Sequence, residues 1–257
     1  QVVRRQRQMC IRDRIYRDWK EGGHGNTNLF KAITQSSNTY FFDLAYRSDI
    51  NQLNKHLSSL GFGGKACIDC FEEDKVFVPE PSWKMNKHNF GWFKGDTVNM
   101  GVGQGYLVST PIQLAKYAYI MANKGKFSDL SLKKDLVKSE KSIEFNKFSN
   151  DDWFKLHESM VNVIEGNTGT ARRLRERKNY IVAAKTGTAE LVSGDNREQY
   201  SETRLDDSLR DHALIIAFGP MPNPRYAVSV VVENGESGGS VAGPVSYTHL
   251  TLPTNDL

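Results

Sequence analysis

The chain has 257 residues, 39% of them hydrophobic, 25% charged and 11% aromatic. That composition supports one large core or two small ones and excludes disordered, collagen-like and disulfide-scaffold classes. No run of 18 apolar residues occurs, and the basic head from Arg4 to Arg14 leads into no apolar signal region. The net charge of +4 sits at the ends. Residues 1–14 hold five Arg against Asp13, residues 246–257 hold only Asp256, and about one positive charge is left for the body. A nucleic-acid binder keeps its charge on the folded body, so no nucleic-acid partner is expected.

The end segments QVVRRQRQMCIRDR and SYTHLTLPTNDL share no periodicity with what adjoins them. Both resemble translated sequencing-adapter DNA. Residues 1–14 and 246–257 are therefore set apart as a non-native head and tail, with a basic nucleic-acid arm as the alternative for the head. The domain proper is expected over 15–245, as an internal piece of a longer protein.

Asn26 to Asn28 offer N-caps for an apolar-periodic helix over Leu29 to Gln35. It breaks at Ser36-Ser37-Asn38, and a second helix resumes the period at Tyr40, Phe41, Leu44 and Ala45. Asp49 caps a third helix, with Leu53, Leu57 and Leu60 on one face and Gly61 at its end. Residues 62–100, rich in Gly, Pro, Trp and charge, read as one long irregular excursion. Thr110-Pro111-Ile112-Gln113 is a capping box with proline at the first helical position, and its helix runs to about Gly125. Residues 126–150 read as a solvated connection rich in Lys and Ser. Trp153 to Ile164 is an amphipathic helix closed by Gly166.

After Gly166 the period changes to 2. Tyr180 to Ala184 with Thr186 to Val192 make one strand, Ala213 to Phe218 a second, and Tyr226 to Glu233 a third. The Pro-rich turn GPMPNPR favours antiparallel pairing of the last two. Helices first and a hairpin sheet afterwards predict an α+β fold.

Lys185-Thr186-Gly187-Thr188 carries the most chemistry. Gly weakens a strand and Lys gains nothing from a core, so the run makes sense where a ligand lies along a strand edge. Gly187 lets the ligand's backbone approach, Lys185 supplies charge, and the two threonine hydroxyls are directed donors. The ligand is then an anion, most simply a carboxylate. The alternative is an edge strand with an exposed Lys and a bulge. A phosphate loop is excluded, because Ala184 and Asn179 stand where glycines are required. Gly101-Val102-Gly103-Gln104-Gly105 likewise fails as a dinucleotide fingerprint at Tyr106.

Ser36-Ser37-Asn38 either projects small polar groups into a cleft or serves as a plain N-cap for the second helix. Cys67-Ile68-Asp69-Cys70 has redox or half-zinc spacing without a second ligand pair, so a structural role or a local disulfide is expected. Asp18 and His24 are too few for a metal site, and a loop hydrogen bond fits them better. His212 reads as a hydrogen-bonded structural residue, and Trp83, Trp92 and Phe93 as packed loop core.

Ser-x-Asn followed by a distant Lys-Thr-Gly on a strand resembles the active-site motifs of penicillin-binding transpeptidases and serine β-lactamases. The ordered set Ile15 to Lys20, Gly23-His24-Gly25, Ser36 to Phe41, Gly95-Asp96-Thr97, Gly101 to Tyr106, Thr110 to Gln113, Ala183 to Ala189 and Arg210-Asp211-His212 with Phe218 narrows it. It is similar to the class B transpeptidases of cell elongation, the penicillin-binding protein 2 family. The resemblance implies part of the transpeptidase/β-lactamase-like α+β domain: its helical portion plus antiparallel strands of the central sheet. It also implies early strands and a closing C-terminal helix that this chain is expected to lack, leaving strand edges and a sheet face uncovered.

By the same resemblance Ser36 relays a proton near the nucleophile, and Asn38 hydrogen-bonds the substrate amide. Lys185 sets the site's electrostatics, Thr186 binds the terminal carboxylate beside Gly187, and the Thr188 N–H forms half of an oxyanion hole. The implied partners are stem peptides ending in D-Ala-D-Ala, β-lactams, a membrane-embedded glycan polymerase and elongation-complex proteins. The implied location is the periplasmic face of the bacterial inner membrane. No cofactor is expected. Some family members place Cys in the middle of Ser-x-Asn and bind a metal with an upstream Asp and His; Ser37 stands there here, so no metal is expected either.

One departure is large. The family's Ser-x-x-Lys nucleophile should precede Ser36, and residues 1–35 hold none; Ser131-Leu132-Lys133-Lys134 comes after Ser-x-Asn and reads as chance. The alternatives are a β-lactam sensor that acylates and signals, or a scaffold of the elongation complex without catalysis. A chain without its nucleophile forms no acyl-enzyme. Intact-mass measurement of these 257 residues after penicillin treatment should therefore show no adduct, and an active-site adduct would overturn that reading.

Overall fold

The computed structural model describes residues 8–11, 14–74, 76–136, 140–143, 148–177, 180–191 and 207–251. The chain divides into two units, Gln1–Phe148 and Ser149–Leu257.

The first unit opens with an antiparallel hairpin, β1 (Gln8–Ile11) and β2 (Arg14–Arg17). Helices α1 (Leu29–Gln35) and α2 (Asn38–Arg47) follow, separated by the expected break. Asn28 caps α1 by accepting the Lys31 N–H at 2.9 Å. Asp49 caps α3 (Ile50–Ser59) through Asn51 N and Gln52 N. Its end is a Schellman turn: Gly61, at φ +93°, donates to Ser58 O at 3.1 Å and Phe62 N donates to Leu57 O at 3.1 Å.

Residues 62–100 are not one irregular excursion. They hold two short helices, α4 (Pro81–His88) and α5 (Lys94–Met100). Neither carries a long apolar stripe, so local periodicity could not reveal them; tertiary partners hold them instead. Lys84 of α4 is only 2% exposed, and its ammonium lies 2.5 Å from Asp96 Oδ2 of α5. Rings of Phe93 at 4.6 Å, Tyr106 at 5.4 Å and Phe90 at 5.6 Å surround the same ammonium. A buried cation is tolerated when paired and faced by aromatic quadrupoles in this way.

Two motif glycines are explained by close approach. A Cβ on Gly95 would stand 2.7 Å from the Tyr16 hydroxyl, and one on Gly101 would stand 2.3 Å from Ala45 Cβ, between α5 and α2. Tyr16 also packs on Phe42, with ring centroids 5.3 Å apart. Tyr16, Gly95 and Gly101 are thus packed together against α2 through Phe42 and Ala45.

Helix α6 (Pro111–Ala122) starts at the expected capping box, with Gln113 N donating to Thr110 Oγ1 and Thr110 N to Gln113 Oε1. It ends three residues before Gly125, whose N–H returns to Ile120 O at 2.9 Å. The segment read as a solvated connection contains a short pair, β3 (Lys126–Phe127) and β4 (Lys141–Ser142), and the rest of it lies partly outside the described residues. Cys67 and Cys70 form a disulfide. Asp69 between them accepts from Ser131 Oγ at 2.8 Å, Leu132 N at 2.9 Å and Lys133 N at 3.2 Å. The Leu132 N–H foremost holds the Asp69 carboxyl below its ordinary range. Ser131 is therefore part of a loop clasp.

The second unit begins with α7 (Asn150–Glu165), capped reciprocally by Ser149 and Asp152 and ended at Gly166. A three-stranded antiparallel sheet follows in the order β5 (Ala183–Ala189), β6 (His212–Gly219), β7 (Tyr226–Val232). β5 is shorter than the sequence suggests. Tyr180 to Val182 precede it, where Ile181 O accepts the Met221 N–H at 2.8 Å, and Val192 lies outside the described residues. Val163 and Ile164 of α7 share a core with Val182, Ala184, Ile215 and Ala217. The expectation of an uncovered sheet face is corrected: α8 (Gly243–Thr251) packs on β6 and β7. Its residues from 246 onward belong to the segment whose sequence carried no helical signal. Among the described residues, β5 pairs on one edge only.

Candidate functional site

The sequence-predicted residues fall in two sets, one in each unit. Ser36 and Asn38 sit at the α1–α2 junction. Ser36 adopts φ 53°, ψ 52°, the left-handed region that a residue with a Cβ seldom occupies. The turn closes on α1 through Ser36 N to Ile33 O at 3.3 Å and Ser37 N to Ala32 O at 2.9 Å.

Asp18 keeps the turn in that form. Its Oδ2 accepts from Thr39 Oγ1 at 2.9 Å, Thr39 N at 3.0 Å and Ser37 Oγ at 3.2 Å. Its Oδ1 is bonded to His24 Nε2 at 2.9 Å, and His24 Nδ1 faces Gln35 Oε1 at 2.8 Å. All five side chains are buried. From outside, Trp19 Nε1 donates to Ser36 O at 2.9 Å. The carboxylate thereby meets the N-terminus of α2, where negative charge is favoured. Ser37 occupies the N-cap position, but its side chain makes no capping bond; Asp18 does that work in its place. Asn38 is half-buried.

The hydrogen-bonding role expected for Asp18 and His24 is what the structure shows. Its destination, residues 37 and 39, had no sequence signal, because a contact across 21 positions leaves no local period. Trp19 and Gln35 were missed for the same reason.

The second set lies on β5. Ala183, Ala184 and Thr186 are buried, Lys185 is half-buried, and Gly187 and Thr188 are exposed. In register, Lys185 faces Ile216, Thr186 faces Ile215, Gly187 faces Leu214 and Thr188 faces Ala213 on β6. The Lys185 ammonium donates to Thr186 O at 2.7 Å. Burial lowers its pKa from 10.5 to about 8, because desolvation penalises the charged form. Thr186 Oγ1 lies 2.7 Å from Thr170 Oγ1, and Thr188 Oγ1 donates to Glu236 O at 3.5 Å. A Cβ on Gly238 would stand 2.6 Å from Gly187 O and 2.2 Å from Leu214 O, so backbone packs on backbone there. The strand offers a half-buried cation, hydroxyls and an exposed glycine in sequence along one edge, an arrangement able to take an extended anionic chain.

His212 is structural, as expected: its Nδ1 accepts the Asn234 N–H at 3.0 Å. Among the described residues, Cys67, Asp69 and Cys70 cluster at metal-ligand distances, but the two sulfurs are bonded to each other and are not thiolates.

Compared with known proteins, residues 5–251 match the model of the penicillin binding protein transpeptidase domain. A peptidoglycan D,D-transpeptidase, MrdA of Haemophilus influenzae, is 36% identical over 239 residues, covering 90% of this chain and 37% of that protein. Penicillin-binding protein 2 (PBP2) of Pseudomonas aeruginosa, solved with WCK 5153, has a TM-score of 0.82 at 34% identity, over 96% of this chain and 52% of that one. PBP2 of Helicobacter pylori, solved in complex with MreC, has a TM-score of 0.85 at 30% identity, over 97% of this chain and 45% of that one. The chain thus spans little more than a third of the curated relatives it matches.

Lys185 should titrate near pH 8 in an NMR titration of the lysine side-chain signals, while exposed lysines titrate near 10.5. Below about 8 it is charged and attracts a carboxylate; above, that attraction is lost. Between the two values the unfolded chain holds a proton that the folded chain lacks, so stability rises with pH across that window. A Lys185 midpoint among the exposed lysines would contradict the burial argument.

Proposed function

The chain belongs to the penicillin-binding protein transpeptidase family, and from that premise we propose that the protein is a peptidoglycan D,D-transpeptidase of cell elongation. The observation that carries the reading is β5: a half-buried Lys185 of lowered pKa beside Thr186, then an exposed Gly187-Thr188 on an edge strand. A stem peptide ending in D-Ala-D-Ala lies along that edge with its carboxylate on Thr186. Lys185 supplies positive charge from a poorly solvated position, where it acts more strongly than in water. The Thr188 N–H points at the oxygen on which negative charge develops.

At the other set, Asn38 holds the peptide amide and Ser36 relays a proton. In the reaction a serine attacks the penultimate D-alanine carbonyl, the terminal D-alanine leaves with a proton, and an amine of a second stem peptide displaces the serine to form the cross-link. The attacking serine is none of the residues assigned here. β-Lactams bind the same strand as mimics of the D-Ala-D-Ala end. The proposed location is the periplasmic face of the bacterial inner membrane. No described helix is long and apolar enough to cross a membrane. By similarity to the Helicobacter pylori protein solved in complex with MreC, elongation-complex proteins are proposed as its partners, and a membrane-embedded glycan polymerase is proposed beside them as the source of the strands to be cross-linked.

The test is a chimera: residues 15–251, which keep α8, joined behind the matching upstream segment of the Haemophilus influenzae relative, in cells depleted of their own elongation transpeptidase. Labelling by a fluorescent penicillin and restored rod shape are expected, with Lys185→Ala losing about a hundredfold or more in acylation rate. Labelling without cross-linking would favour the sensor reading. A folded chimera that neither labels nor cross-links would overturn the proposal.

A further inference from the structure

We infer that Thr170 is a positioning residue for the carboxylate of the bound peptide, acting through the hydroxyl of Thr186. The inference rests on the reading of Thr186 as the carboxylate-binding residue and adds a group that no sequence motif singled out.

A hydroxyl has one proton to give and two lone pairs to receive with. Thr186 Oγ1 and Thr170 Oγ1 are 2.7 Å apart, and the distance alone allows either to donate. A carboxylate settles the direction, because it only accepts. To bind it, Thr186 must give up its single proton, so its bond to Thr170 must be one that it receives. Thr170 is then the donor. A hydroxyl that already accepts a hydrogen bond is polarised and donates more strongly. With valine at position 170 the Thr186 proton loses both its orientation and that polarisation.

The backbone delivers Thr170 rigidly. α7 stops at Gly166, and the chain folds back on its last turn, with Gly169 N donating to Gly166 O at 3.0 Å and Ala171 N to Val163 O at 2.9 Å. A Cβ on Gly169 would stand 2.3 Å from Val163 O, so only glycine allows the fold-back. On the far side, a Cβ on Gly239 would stand 2.2 Å from Thr170 O, which places the turn at Gly238–Ala242 directly on the Thr170 carbonyl. Position 170 is clamped from two directions while its hydroxyl reaches β5. Thr186 is buried and Thr170 half-buried, so water competes poorly for the pair.

The experiment uses the isotope-labelled 257-residue chain and titrates it with N-acetyl-D-alanyl-D-alanine, following the Gly187 and Thr188 amide signals by NMR. Thr170→Val should weaken binding about threefold to tenfold, the scale of one lost hydrogen bond. Thr170→Ser, which keeps the hydroxyl, should recover most of the affinity, and Thr186→Val should abolish saturation. If the valine variant does not fold, Thr170→Ala, smaller at the same place, should show the same loss. Full affinity in Thr170→Val or Thr170→Ala together with loss in Thr186→Val overturns the inference and leaves the carboxylate reading standing. Equal loss in Thr170→Ser and Thr170→Val also overturns it, because shape and not the hydroxyl would then matter. Full affinity in Thr186→Val, or no response in the unsubstituted chain, overturns the carboxylate reading and the inference with it.

Discussion

One carboxylate holds the helical half of this protein in a usable form. Asp18 receives two hydroxyls and a backbone N–H across the α1–α2 break, and a histidine fixes its other oxygen. Without it, a serine in the left-handed region and an uncapped helix start would have to persist on their own. Backbone conformations of that kind cost of order 1–3 kcal/mol and last only where the surroundings over-determine them. Here the surroundings do so: His24, Gln35, Ser37 and Thr39 are all buried and all bonded into one network. The chemistry proposed for Ser36 and Asn38 depends on that geometry, although Asp18 touches no substrate.

The sheet half solves a different problem. An edge strand of the kind proposed to accept the peptide cannot be shielded by a neighbouring strand, yet an open edge invites pairing with other chains. β5 reconciles the two by burying Ala183 on one face and Ala184 and Thr186 on the other while exposing Gly187 and Thr188. Close-packed glycines at 238 and 239 bring supporting backbone against β5 and against the turn after α7. The half-buried Lys185 discourages non-specific pairing and, at neutral pH, still carries the charge that a carboxylate needs.

Much of this was legible in the sequence, and the reasons differ by element. Caps are local, so Asn28, Asp49, the Thr110 box and the glycine stop at 61 were readable from a few adjacent residues. The strands showed because Ala213 to Phe218 and Tyr226 to Glu233 are apolar stretches of strand length joined by a Pro-rich turn. The Lys-Thr-Gly run was conspicuous because it contradicts strand preference, and such contradictions mark functional positions. What stayed hidden is long-range. Helices α4 and α5 are held by Lys84 inside an aromatic cage rather than by their own pattern. The bonds from Asp18 to Ser37 and Thr39 and the Thr170–Thr186 pair join residues 16 to 21 positions apart, and no window of sequence reports such partners. Helix α8 was obscured by a segment whose composition matched nothing next to it.

The most direct test of this account is amide hydrogen exchange at residues 36–40, in the unsubstituted chain and in Asp18→Ala. The account predicts slow exchange at Thr39 in the unsubstituted chain. In the variant it predicts loss of that protection, with a fall in stability of about 3–5 kcal/mol because several buried partners lose their acceptor together. Equal protection at Thr39 in both proteins, with unchanged stability, would show that the turn holds itself and that Asp18 is incidental.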